Sequence, residues 1–224
     1  MGADPRGKTL LGYLNHLVSE LHAERQSALG DLDRLSRSVD HITYVVATQQ
    51  SHAGPSSVME TVQPQELLEE ALRLSEKVIV ACSVAVVRRY ADVPATTLDR
   101  QRLLQILVNL ISNAAQAMEG APAGSHRLTL VTQIDRVVGE AGGGQRLRII
   151  VHDEGDGIAP ENLTRIFAHG FTTRKSGHGF GLHSSALAAM EMGAKISVHS
   201  DGPGCGAVFT LDIPIQAKAQ EAAQ

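Results

Sequence analysis

Aromatic side chains are scarce in this 224-residue chain: 3% of the residues, with three Tyr, four Phe and no Trp. Its core must therefore be aliphatic, and the 43% hydrophobic content supplies one in Leu, Ile, Val and Ala. Cysteine is nearly absent too. Cys82 and Cys205 stand far apart in the sequence, which excludes a disulfide framework and a zinc-ligand pattern and suits a reducing compartment. There is no long basic run and the formal net charge is -4. A direct nucleic-acid partner, which needs clustered Lys and Arg, is not expected. No stretch approaches the roughly 18–20 apolar residues of a membrane helix, and no signal peptide is visible. The expectation is a cytoplasmic protein of one or two domains, with any membrane attachment supplied by segments upstream of Met1.

Residues from about Leu10 to Gln50 contain no proline and read as one long helix. Leu14, Val18, Leu21, Ala28, Leu32, Leu35, Val39, Ile42 and Val46 recur at steps of three and four, broken only at Arg25. That is an a/d seam, and it fits either packing on the chain's own domain or a dimeric bundle. At 1.5 Å per residue such a helix runs roughly 60 Å, longer than a small domain is wide, which favours a homodimer through this helix. Ser51 to Gln63, rich in Ser, Gly and Pro, reads as a linker.

Pro64 then opens a helix to about Lys77, with proline where its missing N–H is harmless. Val84–Tyr90 reads as a strand, and Asp99 caps a helix from Arg100 to Met118. Arg127–Val138 and Gln145–His152 read as a hairpin. A helix from about Leu182 to Met192 and strands Lys195–His199 and Ala207–Ile213 follow, then a polar tail from Gln216. The order predicts a two-layer α/β (α+β) sandwich whose mixed sheet is mainly antiparallel.

Three segments carry chemistry. Asn109 and Asn113, four apart, share one face of an otherwise apolar helix. Two amides there need partners. They are either satisfied within the core or offer neutral oxygen ligands to Mg²⁺ and contacts to phosphate. Asp153-Glu154-Gly155-Asp156-Gly157-Ile158 follows a strand. It is either an ordinary turn or a pocket floor where Asp153 accepts from the exocyclic amine of adenine and the glycines let backbone approach the base. Asp156 reads as a turn residue. Gly177-His178-Gly179-Phe180-Gly181-Leu182 opens a helix, and successive N–H groups at a helix start attract phosphate. Thr172, Thr173, Arg174 and Lys175 precede it, as hydroxyls and cations beside that loop or as plain surface charge.

Taken in order, the asparagine box, D-x-G-x-G, the Phe-containing segment, G-x-G-x-G and a closing Gly-x-Gly resemble the ATP-binding domain of sensor histidine kinases, whose wider group includes gyrase-, heat-shock-chaperone- and mismatch-repair-type ATPases. The resemblance covers about Gln63 to Ile215. It implies ATP and Mg²⁺ as cofactors, Asn113 as the Mg²⁺ ligand, and Asn109 as its helper near the phosphates. It also implies Asp153 on the adenine amine with Gly155 and Gly157 shaping that pocket. Ile166, Phe167, Phe171, Thr172 and Thr173 would border the nucleotide lid, Gly177, Gly179 and Gly181 would pack on the phosphates, and Gly204 and Gly206 would form the closing turn. Lys175 or Arg174 would help neutralise the transferring group.

Hydrolysing members typically carry Glu where this chain has Asn109. An amide takes no proton near pH 7, so Asn109 argues for transfer to another acceptor. The short lid between Phe171 and Gly177 resembles the nitrogen-regulatory kinases, and Glu154 replaces a common Asn with little expected consequence. The implied activity is phosphoryl transfer from Mg²⁺-ATP to a histidine and onward to an aspartate on a response-regulator receiver domain. Residues 1–50 would be the second helix of a helical hairpin, 51–62 a linker, 63–215 the catalytic domain and 216–224 a tail. The acceptor helix would then lie upstream of Met1. None of His16, His22, His41 and His52 is followed directly by an acidic residue, as the family's acceptor usually is. His169, His178 and His183 flank the phosphate loop, either as structural or solvated side chains or with a part in closing the lid, and His178 stands with the nucleotide-binding candidates. Two rival readings are a non-catalytic nucleotide-sensing dimerisation module and a serine-directed kinase of the anti-sigma type. The long helical seam counts against the second.

Overall fold

The structure, a computed structural model, describes residues 16–31, 59–119, 126–136, 144–174 and 179–215. They divide into two compact units. The first contains helix α1, residues 16–31. Two seam side chains on it, Val18 and Leu21, are about half exposed, as are Leu17 and Leu29. His16 is solvated and reaches Glu20, one turn on, at 3.7 Å. Seam positions Leu14, Leu32, Leu35, Val39, Ile42 and Val46, with His41 and His52, lie outside the described residues. Among the described residues no helix is long and apolar enough to cross a membrane.

The second unit runs β1 (Met59–Val62), α2 (Pro64–Leu74), α3 (Glu76–Ala81), β2 (Ala85–Tyr90), β3 (Thr96–Asp99), α4 (Arg100–Ala117), β4 (Arg127–Arg136), β5 (Gln145–Asp153), α5 (Gly181–Glu191), β6 (Lys195–His199) and β7 (Ala207–Ile215). A five-stranded sheet has the order β2-β4-β5-β7-β6. Only β2–β4 is parallel; the other three pairings are antiparallel. This is the mixed, mainly antiparallel sheet under helices that the order of elements predicts.

Side-chain alternation explains the layering. In β5, Leu147, Ile149, Val151 and Asp153 are buried, while Arg146, Arg148, Ile150 and His152 between them are not. A period of two sends one set under the helices and the other to the far face. There Arg148 bridges Asp135 of β4 at 2.6 Å and Asp212 of β7 at 2.7 Å, pinning the register of three strands. On α4 the buried residues Leu103, Ile106, Leu107, Leu110, Ile111 and Ala114 follow the helical period onto the sheet. The Asp99 carboxylate starts the helix by accepting from the Arg102 N–H at 3.0 Å. Packed against α2 on one side and α5 on the other, α4 is the central member of the helical layer.

Three elements differ from expectation, one of them β3 (Thr96–Asp99), a strand directly before the α4 cap that the sequence did not announce. Met59–Val62, inside the stretch whose composition reads as a linker, is a strand pairing antiparallel with β3. Its backbone groups find partners nearly forty residues away, which local composition does not show. The helix expected from Pro64 to Lys77 ends at Leu74, and a second helix, Glu76–Ala81, restarts after Ser75. The Ser75 N–H closes α2 on the Ala71 carbonyl at 3.0 Å.

Candidate functional site

The site is laid out along α4. Asn109 and Asn113 lie on its half-buried face. The Asn109 Nδ2 donates to the Ser185 hydroxyl of α5 at 2.8 Å. The Asn113 Nδ2 points at the Asn109 Oδ1 at a long 3.4 Å. Gly181, first residue of α5, is pressed onto the same amide: a Cβ there would overlap the Asn109 Oδ1. Glycine at 181 is thus required by close approach, not by backbone dihedral. Phe180 at the N-cap makes no side-chain cap bond to the helix, so the first-turn N–H groups of α5 present the positive end of a helix dipole beside the asparagine pair.

The D-x-G-x-G turn packs on the far end of the same helix. Asp153 ends β5 at 1% exposure, and its Oδ1 accepts from the Gly155 N–H at 3.0 Å. A Cβ on Gly155 would stand 2.5 Å from the Ala117 carbonyl oxygen, the last of α4. The Asp156 N–H caps that same carbonyl at 2.9 Å, while the Asp156 side chain is exposed, as a turn residue should be. Gly157 sits at φ +69° against the Gly202 carbonyl. The β6–β7 turn closes over this loop. The Gly206 N–H donates to the Gly155 carbonyl at 3.1 Å and the Gly204 N–H to that of Asp156 at 2.6 Å. Ser200 ties both loops together, accepting from the Ile158 N–H at 3.0 Å and donating to the Gly206 carbonyl at 2.6 Å.

The Phe-containing segment is clasped to the start of α5. Ile166 is buried, and Phe167 and Phe171 pack partly buried against the core, as do Ile158 and Leu182. The Phe167 carbonyl meets His183 Nδ1 at 2.9 Å. The Gly170 N–H donates to the Gly179 carbonyl at 3.2 Å, and Gly179, at φ +69°, leaves no room for a side chain against Gly170. The His169 ring stands edge-on to His183 with centroids 5.2 Å apart, and 5.0 Å from that of Phe180. Both histidines are therefore held within this clasp. Thr172 and Thr173 are exposed beyond it. Arg174 divides with the first unit. Lys175, Gly177 and His178 lie outside the described residues.

Asn109, Asn113 and Ala117 stand on successive turns of one helix, the first and last about 12 Å apart along its axis. Along that span stand the α5 N-terminus, the two amides and the buried carboxylate turn. The sequence profile of the histidine kinase-, DNA gyrase B- and HSP90-like ATPase family matches residues 98–217, more than half of the chain. The chain belongs to this family. Its asparagine helix, D-x-G-x-G turn, α5 start and closing glycine turn all fall within the matched segment.

Among histidine kinase-like ATPases the chain is similar to sensor histidine kinases. It is 30% identical to the sensor histidine kinase ZraS of Salmonella typhi over 221 residues, covering 91% of this chain and 43% of ZraS. It is 30% identical to the histidine protein kinase SaeS of Staphylococcus epidermidis over 189 residues, covering 81% of this chain and 50% of SaeS. The chain thus spans half or less of the length of these relatives. A similar solved structure is that of full-length ShkA in complex with AMPPNP, at 25% identity and a TM-score of 0.61, over 80% of this chain and 37% of ShkA.

Two side chains of this ATPase-family site went unread in the sequence. Ser185 follows Gly181 by one helical turn, so it faces α4 with that glycine; this spacing was its only signal. Ser200 opens the Asp201-Gly202-Pro203-Gly204 turn, where a serine is unremarkable. Among the described residues no group of three His, Cys, Asp or Glu could hold a metal, and Cys82 and Cys205 form no disulfide.

Proposed function

We propose that this chain is the ATP-binding catalytic part of a two-component sensor histidine kinase, transferring the γ-phosphoryl of Mg²⁺-ATP to a histidine for relay to a response-regulator aspartate. The observation that carries the reading is the alignment of three unlike recognition elements along two turns of α4. The turn that follows the buried Asp153 is held at Ala117, two amides lie at Asn113 and Asn109, and a helix start without a side-chain cap lies at Gly181. A purine at one end and a polyphosphate at the other match that sequence of chemistries.

Each residue then has a task. The buried Asp153 accepts from the exocyclic amine of adenine, while its other work, on the Gly155 N–H, keeps the turn flat against the base. The α5 N–H groups hold phosphate oxygens. The donor set suits Mg²⁺. Neutral amide oxygens beside phosphate oxygens are the hard, few-ligand environment this cation takes while keeping water, and no cluster of acids competes for it among the described residues. Asn113 would hold the ion, with Asn109 beside it, and the ion would supply neutralisation of phosphate charge. Asn109 accepts no proton near neutral pH, which leaves water unactivated and favours an external acceptor. Catalysis here is positioning and charge neutralisation, with Thr172, Thr173, Arg174, Lys175, Gly177 and His178 assigned to the lid and phosphate side. Residues 1–50 form the homodimerising helix, followed by a linker to the catalytic domain of 63–215 and a tail of 216–224; β1 belongs with the catalytic domain. The exposed Val18 and Leu21 on α1 suit pairing with a second copy.

Phosphotransfer tests the whole reading. The chain is incubated with γ-labelled ATP, Mg²⁺ and a separate helical-hairpin protein bearing an acceptor histidine. Label that is lost in acid and kept in base marks phosphohistidine and supports the proposal. Label stable in acid would indicate a serine-directed kinase. A bound nucleotide with no label transferred would indicate a sensing module.

A further inference from the structure

We infer that Arg25, the one break in the apolar seam of α1, specifies the dimer partner by pairing with Glu24 of a second copy of this chain. The inference rests on the homodimer reading above and names a charged contact within that interface.

Within the described part of α1 the seam runs Val18, Leu21, Arg25, Ala28, an a, d, a, d series of heptad positions. All four side chains are exposed. In the sequence the same phase puts Val39 and Val46 at a and Leu14 and Leu35 at d. A β-branched residue at a with Leu at d favours two parallel strands. A single polar or charged residue at a costs stability and in return fixes register and oligomer state.

Neither charge is met on its own helix. Side chains reach along a helix to the positions three and four away. For Arg25 these are Leu21, His22, Ala28 and Leu29, with no acid among them. For Glu24 they are Glu20, Leu21, Ser27 and Ala28, with no cation and one like charge. Glu20 itself lies 3.7 Å from His16.

A parallel second copy supplies both partners at once. A knob at a enters a hole of four residues on the facing helix. For Arg25 these are Leu21, Glu24, Arg25 and Ala28 of the partner subunit. The aliphatic stem of Arg25 stays in the seam while its guanidinium leaves it. That separates the two Arg25 charges and brings each to the partner's Glu24. Ala28, small where Leu21 is large, makes room for the stem. Glu24 stands at g, whose usual cross-strand neighbour is the e residue five places on. Here that is Leu29 of the partner subunit, which offers no charge and leaves the carboxylate to Arg25. Two-fold symmetry makes the contact twice.

The experiment is sedimentation equilibrium of the full chain. It covers the wild type, Arg25→Glu, Glu24→Arg, the variant carrying both reversals, and an equimolar mixture of the two single variants. The wild type should dimerise, less tightly as salt is raised. Each single reversal sets like charges against each other across the seam and should weaken its own dimer at least about tenfold. Both reversals in one chain exchange the pair and should restore the dimer. The mixture should dimerise more tightly than either single variant alone, because each chain then meets its opposite charge. Single reversals that dimerise like the wild type, or a mixture no tighter than its components, would overturn the inference while leaving the homodimer standing. A wild type that stays monomeric would overturn the homodimer reading, and the inference with it.

Discussion

The Asp156 N–H donates to the Ala117 carbonyl at 2.9 Å, so the turn that follows the buried carboxylate is bolted to the end of the helix that carries the two asparagines. Gly155 lies against the same carbonyl, 2.5 Å from where its Cβ would be. A shift of α4 along its axis must therefore carry the Asp153 turn with it. One helical turn separates this junction from Asn113, so the spacing between the Asp153 turn and the two amides is as rigid as the helix.

That junction predicts the behaviour of Gly155→Ala. The added methyl must displace either the turn or the last turn of α4, at a cost of about 1–3 kcal/mol for overpacking at a tight contact. A denaturant melt should show lowered stability, and calorimetry should show weakened analogue binding in the fraction that remains folded.

Gly181→Ala should separate stability from binding. Its new Cβ meets the Asn109 side chain rather than backbone. Alanine suits a helix better than glycine by up to about 1 kcal/mol. Thermal stability should change little, while affinity for Mg²⁺-nucleotide falls at least about tenfold, a loss of roughly 1.4 kcal/mol. Adding Asn109→Ala relieves the overlap and should not weaken binding further.

Ser200→Ala removes a hub rather than a ligand. It leaves the Ile158 N–H and the Gly206 carbonyl without their hydroxyl partner. The expected cost is about 1–3 kcal/mol, the range for buried polar groups stripped of a partner. It should be read as a lower midpoint of unfolding, with nucleotide affinity reduced because the closing turn loosens over the Asp153 loop.

Acid should loosen α2 from the sheet edge. The Glu69 carboxylate takes bonds from Arg88 at 2.7 and 3.1 Å and from the Tyr90 hydroxyl at 2.9 Å. The hydrogen bond from Arg88 holds its pKa below the usual carboxylate value, against an opposing push from burial. A depressed folded-state pKa gives stability that is present above the unfolded pKa and is lost as pH falls through the folded one. The Glu69 side chain is 36% exposed, so the contribution is about 0.2–1 kcal/mol. Glu69→Gln should lower stability at neutral pH by that amount and show a correspondingly shallower loss on acidification, measured by denaturant midpoints at several pH values.

What could be read from the sequence divides along physical lines. The helical period of Leu103, Ile106, Leu107 and Leu110 and the capping Asp99 announced α4 locally, and the alternation through Leu147, Ile149 and Val151 announced β5. The D-x-G-x-G and G-x-G-x-G segments were visible because backbone close to other groups needs glycine, and Gly155, Gly157, Gly179 and Gly181 each meet such a contact. β1 was hidden because four residues beside a Ser- and Pro-rich stretch acquire strand character only by pairing with β3. α3 was hidden because Val78, Ile79 and Val80 carry β-branched, strand-favouring side chains, overridden by a six-residue helix between α2 and β2. Ser185 offered only its one-turn spacing from Gly181 and Ser200 no pattern at all, since a single hydroxyl gains meaning only from the residue the fold sets against it.

The account stands or falls on Asp153 as the proposed purine contact, and Asp153→Asn probes it with least disturbance. The substitution keeps an Oδ1 for the Gly155 N–H, so the turn should persist, but it puts a donor where the proposed contact to the adenine amine needs an acceptor. Titration with a non-hydrolysable ATP analogue should show binding by the wild type and a loss of about ten- to hundredfold in the variant, the range for a hydrogen bond to a charged group, with the unfolding midpoint nearly kept. Equal affinity in the two proteins would contradict a purine at Asp153 and with it the assignment of the nucleotide along α4.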